Sequence, residues 1–290
     1  MLVPSGASHS AVTVAPNSAN TPGAKALAAL LYRELGAEVV AIGCEPDGIN
    51  INAGCGSTST GMLAGVVVEH RADLGLALDG DADRMVAVDG SGALVGGDEL
   101  LALFALDLAD RGQLAGNTVV VTVMSNLGFR FAMEAHGISV RETDVGDRQV
   151  LAALDADGLT LGGEQSGHVI FRTRSTTGDG ILTGLALADL LRRSGRSLAD
   201  LADGLVERVP QILVNVPIPR PERLADSTEV WEAVAKAEAE LGHSGRVLLR
   251  PSGTEPLVRV MVEARLEPQA AAVAAELVDI VTRVLGQVGG

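Results

Sequence analysis

The 290-residue chain is longer than a typical single domain, and with 47% hydrophobic residues it should fold into two or three compact units. A net charge of −15 without a run of Lys and Arg argues against nucleic acid and anionic membranes as partners, because both are bound mainly through clustered positive charge. Only two cysteines occur, which excludes a disulfide framework and a cysteine-based zinc site, and the 2% of aromatic residues predicts cores of Val, Leu, Ile and Ala.

The first part of the chain, 11–92, predicts an α/β domain. Short apolar runs predict three strands, at 12–15, 38–42 and 73–78. An Ala/Leu-rich segment predicts a helix over 22–35, with Pro22 at its start and Gly36 after its end, and a second helical stretch ends at His70. Because open α/β sheets bind ligands beyond the ends of their strands, we expect chemistry in the loop that follows Leu78.

Two further domains are predicted beyond residue 92. Residues 93–207 predict a second α/β domain, with helices at 98–110, 127–136, 147–154 and 179–193 and strands at 118–122, near Val140 and at 159–161. Residues 211–290 predict a small α+β domain, with strand, helix, strand, strand and helix at 212–216, 226–241, 246–249, 257–263 and 268–285. A hinge is expected at 207–210.

Three carboxylates alternate along the loop Asp79-Gly80-Asp81-Ala82-Asp83-Arg84. We expect Gly80 to relax the backbone so that Asp79, Asp81 and Asp83 turn toward one point. Three anionic oxygens without His or Cys favour one Mg²⁺ ion over zinc, whereas an EF-hand is excluded by Arg84 and Gly90 at the positions where it needs Gly and Glu. The alternative interpretation is a solvated acidic turn.

A second loop, Gly163-Glu164-Gln165-Ser166-Gly167-His168, places hydrogen-bonding side chains between two glycines. Glycine lets the backbone approach a ligand closely, so this loop is suited to bind sugar hydroxyls. The local pattern is equally typical of a tight polar turn.

A third loop, Arg250-Pro251-Ser252-Gly253-Thr254-Glu255-Pro256, combines a guanidinium, two hydroxyls and accessible backbone amides between two predicted strands. These groups suit a phosphate, with Arg259 as a further contact. The alternative is a β-turn with an arginine salt bridge.

These loops, in this order, resemble the α-D-phosphohexomutase family. Further segments share the resemblance, which extends from about Val12 to the C-terminus: 45–52, Met124-Ser-Asn-Leu-Gly128, Val145-Gly-Asp-Arg148 and Thr177-Gly-Asp-Gly180. Gln165 stands where phosphomannomutases have Met, which resembles the members that act on glucosamine phosphates. The resemblance implies a cytoplasmic isomerase that converts glucosamine 6-phosphate to glucosamine 1-phosphate through a bisphosphate intermediate, for amino-sugar and cell-wall precursor synthesis.

The resemblance also implies roles for individual residues. Asp79, Asp81 and Asp83 would bind Mg²⁺, and Arg84 would lie beside the transferring phosphoryl group. Glucose or glucosamine 1,6-bisphosphate would act as activator. The phosphorylated amino sugar would contact ten residues: Asp147, Arg148, Glu164, Ser166, His168, Arg250, Ser252, Gly253, Thr254 and Arg259.

One departure from the family pattern concerns the nucleophile. Family members begin with an α/β domain that contains a Ser-Ala-Ser-His-Asn-Pro loop, whereas here only 6–10 repeats part of it, with Ser8 at the place of the nucleophile. We therefore expect a chain without the phosphoserine domain, of uncertain activity, in which the uncovered face of the first domain promotes self-association.

Two other functions remain open at the level of the sequence. The chain can be a non-catalytic sugar-phosphate-binding remnant. Alternatively, Asp79 and Asp81 can be the nucleophile and the acid of a haloacid-dehalogenase-type phosphatase, although that pattern needs Thr or Val where Asp83 stands.

Overall fold

The structure, a computed structural model, describes residues 10–14, 22–44, 47, 49–253 and 255–286. It divides into two compact units, of which the first comprises Met1–Ser125 and Phe129–Glu207 and the second Asn126–Gly128 and Arg208–Gly290. No helix among the described residues has the length and apolar composition needed to cross a lipid bilayer.

The first unit begins with a five-stranded mixed sheet. Its strands are β1 (Ser10–Val14), β2 (Glu38–Ile42), β3 (Leu74–Leu78), β4 (Met85–Asp89) and β5 (Leu94–Val95). They lie in the order β2-β1-β3-β4-β5, with β1 parallel to β2 and β3, and β4 antiparallel to β3 and β5. The accompanying helices are α1 (Pro22–Glu34) and α2 (Gly61–His70). Strands β3 and β4 are buried along their whole length, so the turn between them starts and ends on fixed backbone.

A second sheet completes the first unit. Its strands are β6 (Thr118–Thr122), β7 (Ser139–Thr143), β8 (Leu161–Gly163) and β9 (Val169–Phe171), in the order β7-β6-β8-β9. Its helices are α3 (Gly97–Asp110), α4 (Leu127–Ala135), α5 (Asp147–Asp157), α6 (Gly180–Ser194) and α7 (Leu198–Ala202). Strands β6, β7 and β8 are parallel and β9 is antiparallel. One apolar core joins both sheets, and Leu76, Met85, Leu101 and Leu161 all belong to it.

The second unit is a three-stranded antiparallel sheet with two helices on one face. Strands β10 (Gln211–Pro217), β11 (Gly245–Pro251) and β12 (Leu257–Ala264) lie in the order β10-β12-β11. Helices α8 (Thr228–Leu241) and α9 (Glu267–Leu285) bury alternate residues of β12, Val258, Val260 and Val262. Because side chains alternate along a strand, Arg259 lies on the opposite face.

The predicted class is confirmed: two mixed sheets with helices precede a small α+β unit. The strand predicted at 159–161 lies instead at Leu161–Gly163, and Ala15, the predicted end of the first strand, is outside the described residues. The antiparallel strands β4, β5 and β9 were not predicted, because each is short or directly follows a polar loop.

Candidate functional site

The aspartate loop connects β3 to β4 and is closed by its own backbone. Asp79 N–H donates to Arg84 O at 3.3 Å, and Arg84 N–H donates to Asp79 Oδ1 at 3.2 Å. Asp79 is buried, Asp83 is half-buried and Asp81 is exposed. One carboxylate oxygen from each of these three aspartates lies within 4.8 Å of the other two, so the loop brings together the predicted metal ligands.

The carboxylates of this loop destabilise one another's charge. Burial, together with the hydrogen bond to Asp83 and the charges of Asp83 and Asp81, raises the pKa of Asp79 to about 7. Burial alone would raise the pKa of Asp83, but the hydrogen bonds from Asp79 and His168 and the charge of Arg84 outweigh it and lower that pKa. Arg84 Nε lies 3.5 Å from Asp79 Oδ2 and 3.7 Å from Asp83 Oδ1, so a single guanidinium balances the cluster only in part.

These residues fit a magnesium ion. The donor set consists of carboxylate oxygens, which Mg²⁺ prefers. Among the described residues, Asp83 Oδ1 is buried and has no hydrogen-bond partner, and a cation would satisfy such an atom.

The loop predicted to bind sugar hydroxyls, 163–168, connects β8 to β9 and is hydrogen-bonded to the segment 145–148; it is called the sugar-type loop below. Glu164 Oε1 accepts a hydrogen bond from Gly146 N–H at 3.1 Å, and Glu164 Oε2 accepts one from Ser166 Oγ at 3.2 Å. Gly146 has φ +130°, which favours glycine at this position. Asp147 and Arg148 follow it as exposed residues at the start of α5, so the structure places them beside the loop that contains Glu164.

His168 joins this loop to the aspartate loop. It is buried, its Nδ1 lies 3.0 Å from Asp83 Oδ2, and its Nε2 accepts a hydrogen bond from Gly178 N–H at 3.1 Å. Because Nε2 is the acceptor in this network, we assign the proton to Nδ1, which donates to Asp83. Both ring nitrogens of His168 therefore have protein partners, whereas the sequence assigned this residue to the substrate.

The glycines of both loops serve the fold in ways that the sequence did not predict. The left-handed residue of the aspartate loop is Ala82, with φ +61°, and Gly80 does not have a positive φ. In the second loop, a Cβ on Gly167 would overlap Met85 O, and one on Gly163 would overlap His168 O. These two glycines are thus required by neighbouring backbone.

The predicted phosphate residues lie on the second unit. Arg250 and Arg259 are directly opposite each other on β11 and β12, so two guanidinium groups share one face of the sheet. Burial lowers the pKa of Arg250, and the nearby charge of Arg259 lowers it further. In the part of the chain that the structure describes, Ser252 Oγ and Arg259 Nε are buried without a hydrogen-bond partner, and a Cβ on Gly253 would meet only open space. These features suit an anion; Thr254 and Ser8 lie outside the described residues.

Comparison with models of known protein families shows to which family the chain belongs. The phosphoglucomutase/phosphomannomutase models for α/β/α domain II, α/β/α domain III and the C-terminal domain match residues 5–92, 96–209 and 213–280. The chain belongs to the phosphoglucomutase/phosphomannomutase family.

Curated members of this family that resemble the chain closely are phosphoglucosamine mutases. The protein from Streptomyces griseus is 58% identical over 255 residues, 88% of this chain and 56% of the relative. The protein from Nocardia farcinica is 56% identical over 272 residues, 94% of this chain and 59% of the relative. The chain thus spans little more than half the length of these relatives.

Solved structures show the same family fold. A phosphoglucomutase/phosphomannomutase family protein from Burkholderia thailandensis has a TM-score of 0.77 at 24% identity, covering 96% of this chain and 61% of that one. Aspergillus fumigatus N-acetylphosphoglucosamine mutase, solved with GlcNAc-6P and magnesium, has a TM-score of 0.72 at 21% identity, covering 94% and 66%.

Two residues of this family member that contact the site received no role from the sequence. Gly178 donates to His168, and Gly180 N–H donates to Ala82 O at 2.8 Å. Both lie in Thr177-Gly-Asp-Gly180, which contributed to the resemblance; its paired glycines before a helix were the signal that could have marked it.

Proposed function

We propose that this chain provides the magnesium-, sugar- and phosphate-binding parts of a phosphoglucosamine mutase. The reaction moves a phosphoryl group between the 6- and 1-oxygens of glucosamine phosphate. The donor adds its phosphoryl group to the free hydroxyl to form the bisphosphate, and the other phosphoryl group then returns to the donor. The resemblance makes this donor a serine of the domain that the chain is expected to lack; Ser8 stands at the place of that serine only in the partial repeat over 6–10.

Asp79, Asp81 and Asp83 hold the metal ion in this proposal. When bound, Mg²⁺ neutralises negative charge on the phosphoryl group in transfer. Arg84, whose Nε lies 3.5 Å from Asp79 Oδ2, supplies a second positive charge at the same loop. The clustered carboxylates support this role because their mutual repulsion is relieved by a cation.

Glu164 and Ser166 bind sugar hydroxyls. Glu164 Oε1 is held by Gly146 N–H, and Glu164 Oε2 is held by the Ser166 hydroxyl, so the carboxylate is oriented before a sugar arrives. Asp147 and Arg148, exposed beside Gly146, give further polar contacts. His168 acts on the sugar site indirectly, because its ring is bonded to Asp83 and Gly178.

Arg250 binds a phosphate group, together with Ser252, Gly253, Thr254 and Arg259. Arg250 and Arg259 lie opposite each other, and although Arg259 pairs with Glu255 at 3.8 Å, its buried Nε has no hydrogen-bond partner among the described residues, which is costly in the ligand-free sheet. A dianionic phosphate offsets this cost through charge-assisted hydrogen bonds.

The observation that carries the proposal is the 3.0 Å contact between His168 and Asp83, which brings the carboxylate cluster and the sugar-type loop into one site. A phosphatase of the haloacid-dehalogenase type would not require that second loop.

The test follows glucosamine 6-phosphate by ³¹P NMR after addition of Mg²⁺, glucose 1,6-bisphosphate and the chain, with Asp81→Asn as the metal-site variant and the exposed Asp110→Asn as its control. Formation of glucosamine 1-phosphate that is lost only in Asp81→Asn supports the full proposal. Broadening of the substrate signal without turnover indicates a non-catalytic binder. No turnover and no broadening would overturn the proposal.

A further inference from the structure

The segment Thr177–Gly180 contacts both loops of the proposed site. It precedes α6, whose first turn is capped by Asp179 Oδ1 accepting from Leu182 N–H at 2.9 Å. The glycines on either side of Asp179 face different partners: Gly178 faces His168, and Gly180 faces the aspartate loop.

Gly180 fixes the backbone of the aspartate loop. Its N–H donates to Ala82 O at 2.8 Å, and Ala82 is held in the left-handed conformation with φ +61° that non-glycine residues disfavour. A Cβ on Gly180 would lie 2.7 Å from Arg84 O and 3.0 Å from Ala82 O. Since both atoms belong to the backbone, no side-chain rotation relieves the overlap, and the loop itself must shift.

Gly178 fixes the ring of His168. Its N–H occupies Nε2, so the neutral ring carries its proton on Nδ1 and donates it to Asp83 Oδ2. A Cβ on Gly178 would lie 2.5 Å from both Cε1 and Nε2 of the ring. A side chain at this position would therefore displace the imidazole from its present place.

We propose that Thr177–Gly180 is a brace that positions the magnesium ligands, with Gly180 acting through the backbone of Ala82 and Gly178 acting through His168 on Asp83. The inference rests on the proposed function in taking Mg²⁺ as the ion. Because the two glycines act through His168 and the backbone of Ala82, both are positioning residues.

The expected effect follows from the geometry that magnesium requires. Mg²⁺ accepts little deviation from octahedral coordination, so a loop shift of a few tenths of an ångström weakens its binding. Changes to groups that orient metal ligands typically cost about 10- to 100-fold in metal affinity. We expect at least a roughly tenfold loss for Gly180→Ala.

The experiment is a calorimetric titration of the whole chain with Mg²⁺, for the wild type, Gly180→Ala and Gly184→Ala, with the midpoint of thermal unfolding measured for each. Gly184 is a matched control on the same helix, because its Cβ would overlap the Tyr32 hydroxyl and lie 2.9 Å from Leu76 Cδ1, away from the aspartate loop. The brace predicts a large loss of Mg²⁺ affinity for Gly180→Ala and wild-type affinity for Gly184→Ala. Equal affinities in all three would overturn the brace but leave the proposed function intact, whereas a wild type that does not bind Mg²⁺ would overturn the function itself.

A second measurement applies even if Gly180→Ala does not fold. Long-range ¹H–¹⁵N NMR of the wild type reports which ring nitrogen of each neutral histidine carries the proton. The brace predicts the Nδ1–H form for His168, assigned by comparison with His168→Gln, and loss of that form in Gly178→Ala. A neutral His168 with its proton on Nε2 in the wild type would contradict the brace.

Discussion

Replacing Glu263 should lower the free energy of unfolding of the second unit more than replacing an exposed charged residue of that unit does. Glu263 is fully buried on β12, where its carboxylate accepts from Arg246 Nε at 2.6 Å, Asn126 Nδ2 at 2.8 Å and Leu127 N–H at 3.2 Å. Asn126 also exchanges hydrogen bonds with Val209 N–H and O, so Glu263 is the centre of a buried polar network.

The magnitude follows from what the substitution leaves behind. Glu263→Ala removes the hydrogen bonds from Arg246, Asn126 and Leu127, and it deletes the carboxylate that forms an ion pair with Arg246, whose side chain is 13% exposed. Breaking a buried ion pair by removing one partner costs about 3–5 kcal/mol. Glu263→Gln keeps the shape of the side chain, but its amide NH2 group would face other hydrogen-bond donors. We therefore expect it to lower the free energy of unfolding by about 1–3 kcal/mol.

Urea unfolding followed by tryptophan fluorescence measures this loss, because Trp231 on α8 is the sole tryptophan of the chain and lies in the second unit. A loss of about 3 kcal/mol lowers the midpoint by at least about 1 M urea. The control is Glu229→Ala, which breaks an exposed pair with Arg283 and should cost less than about 1 kcal/mol. Similar midpoints for Glu263→Ala and Glu229→Ala would refute the assignment of Glu263 as the centre of the network.

Two further predictions concern glycine and arginine. Gly167 has φ +90°, and a Cβ there would overlap Met85 O, whereas Gly195 has φ +65° and a Cβ there would meet open space. In the variant Gly167→Ala, the melting temperature of the first unit, measured by circular dichroism, should therefore be well below that of Gly195→Ala. Equal melting temperatures would contradict the packing argument. Arg250→Gln removes a like-charge pair with Arg259, so it should stabilise the ligand-free second unit by roughly 0.5 kcal/mol. Inorganic phosphate should stabilise the wild type but not the variant. A variant that is less stable than the wild type and still responds to phosphate would contradict the anion site.

The parts of the fold that the sequence predicted are those with local signals. Helix α6 has apolar periodicity, strand β3 is a continuous apolar run, and the aspartate loop has an unmistakable residue pattern. The order of the strands depends on pairing between distant residues, so β4 and β9 were missed although their side chains are fully buried.

The candidate site shows the same division. Asp79, Asp81 and Asp83 were recognisable as ligands because their chemistry lies in adjacent residues. The role of His168 depends on Asp83 and Gly178, which are 85 and 10 residues away, so no local pattern contained it. The sequence indicated Gly80 as the residue that relaxes the backbone of this loop, whereas the left-handed residue is Ala82, whose carbonyl accepts a hydrogen bond from Gly180 N–H.

The most direct test of the account is calorimetric titration of the chain with glucosamine 6-phosphate in the presence of Mg²⁺. We predict saturable binding to one site, abolished in Arg250→Gln and unchanged in Arg283→Gln, an exposed arginine of the same unit. Absence of heat with the wild type, or equal affinity in Arg250→Gln, would contradict the proposal that Arg250 binds the phosphate group of a sugar phosphate.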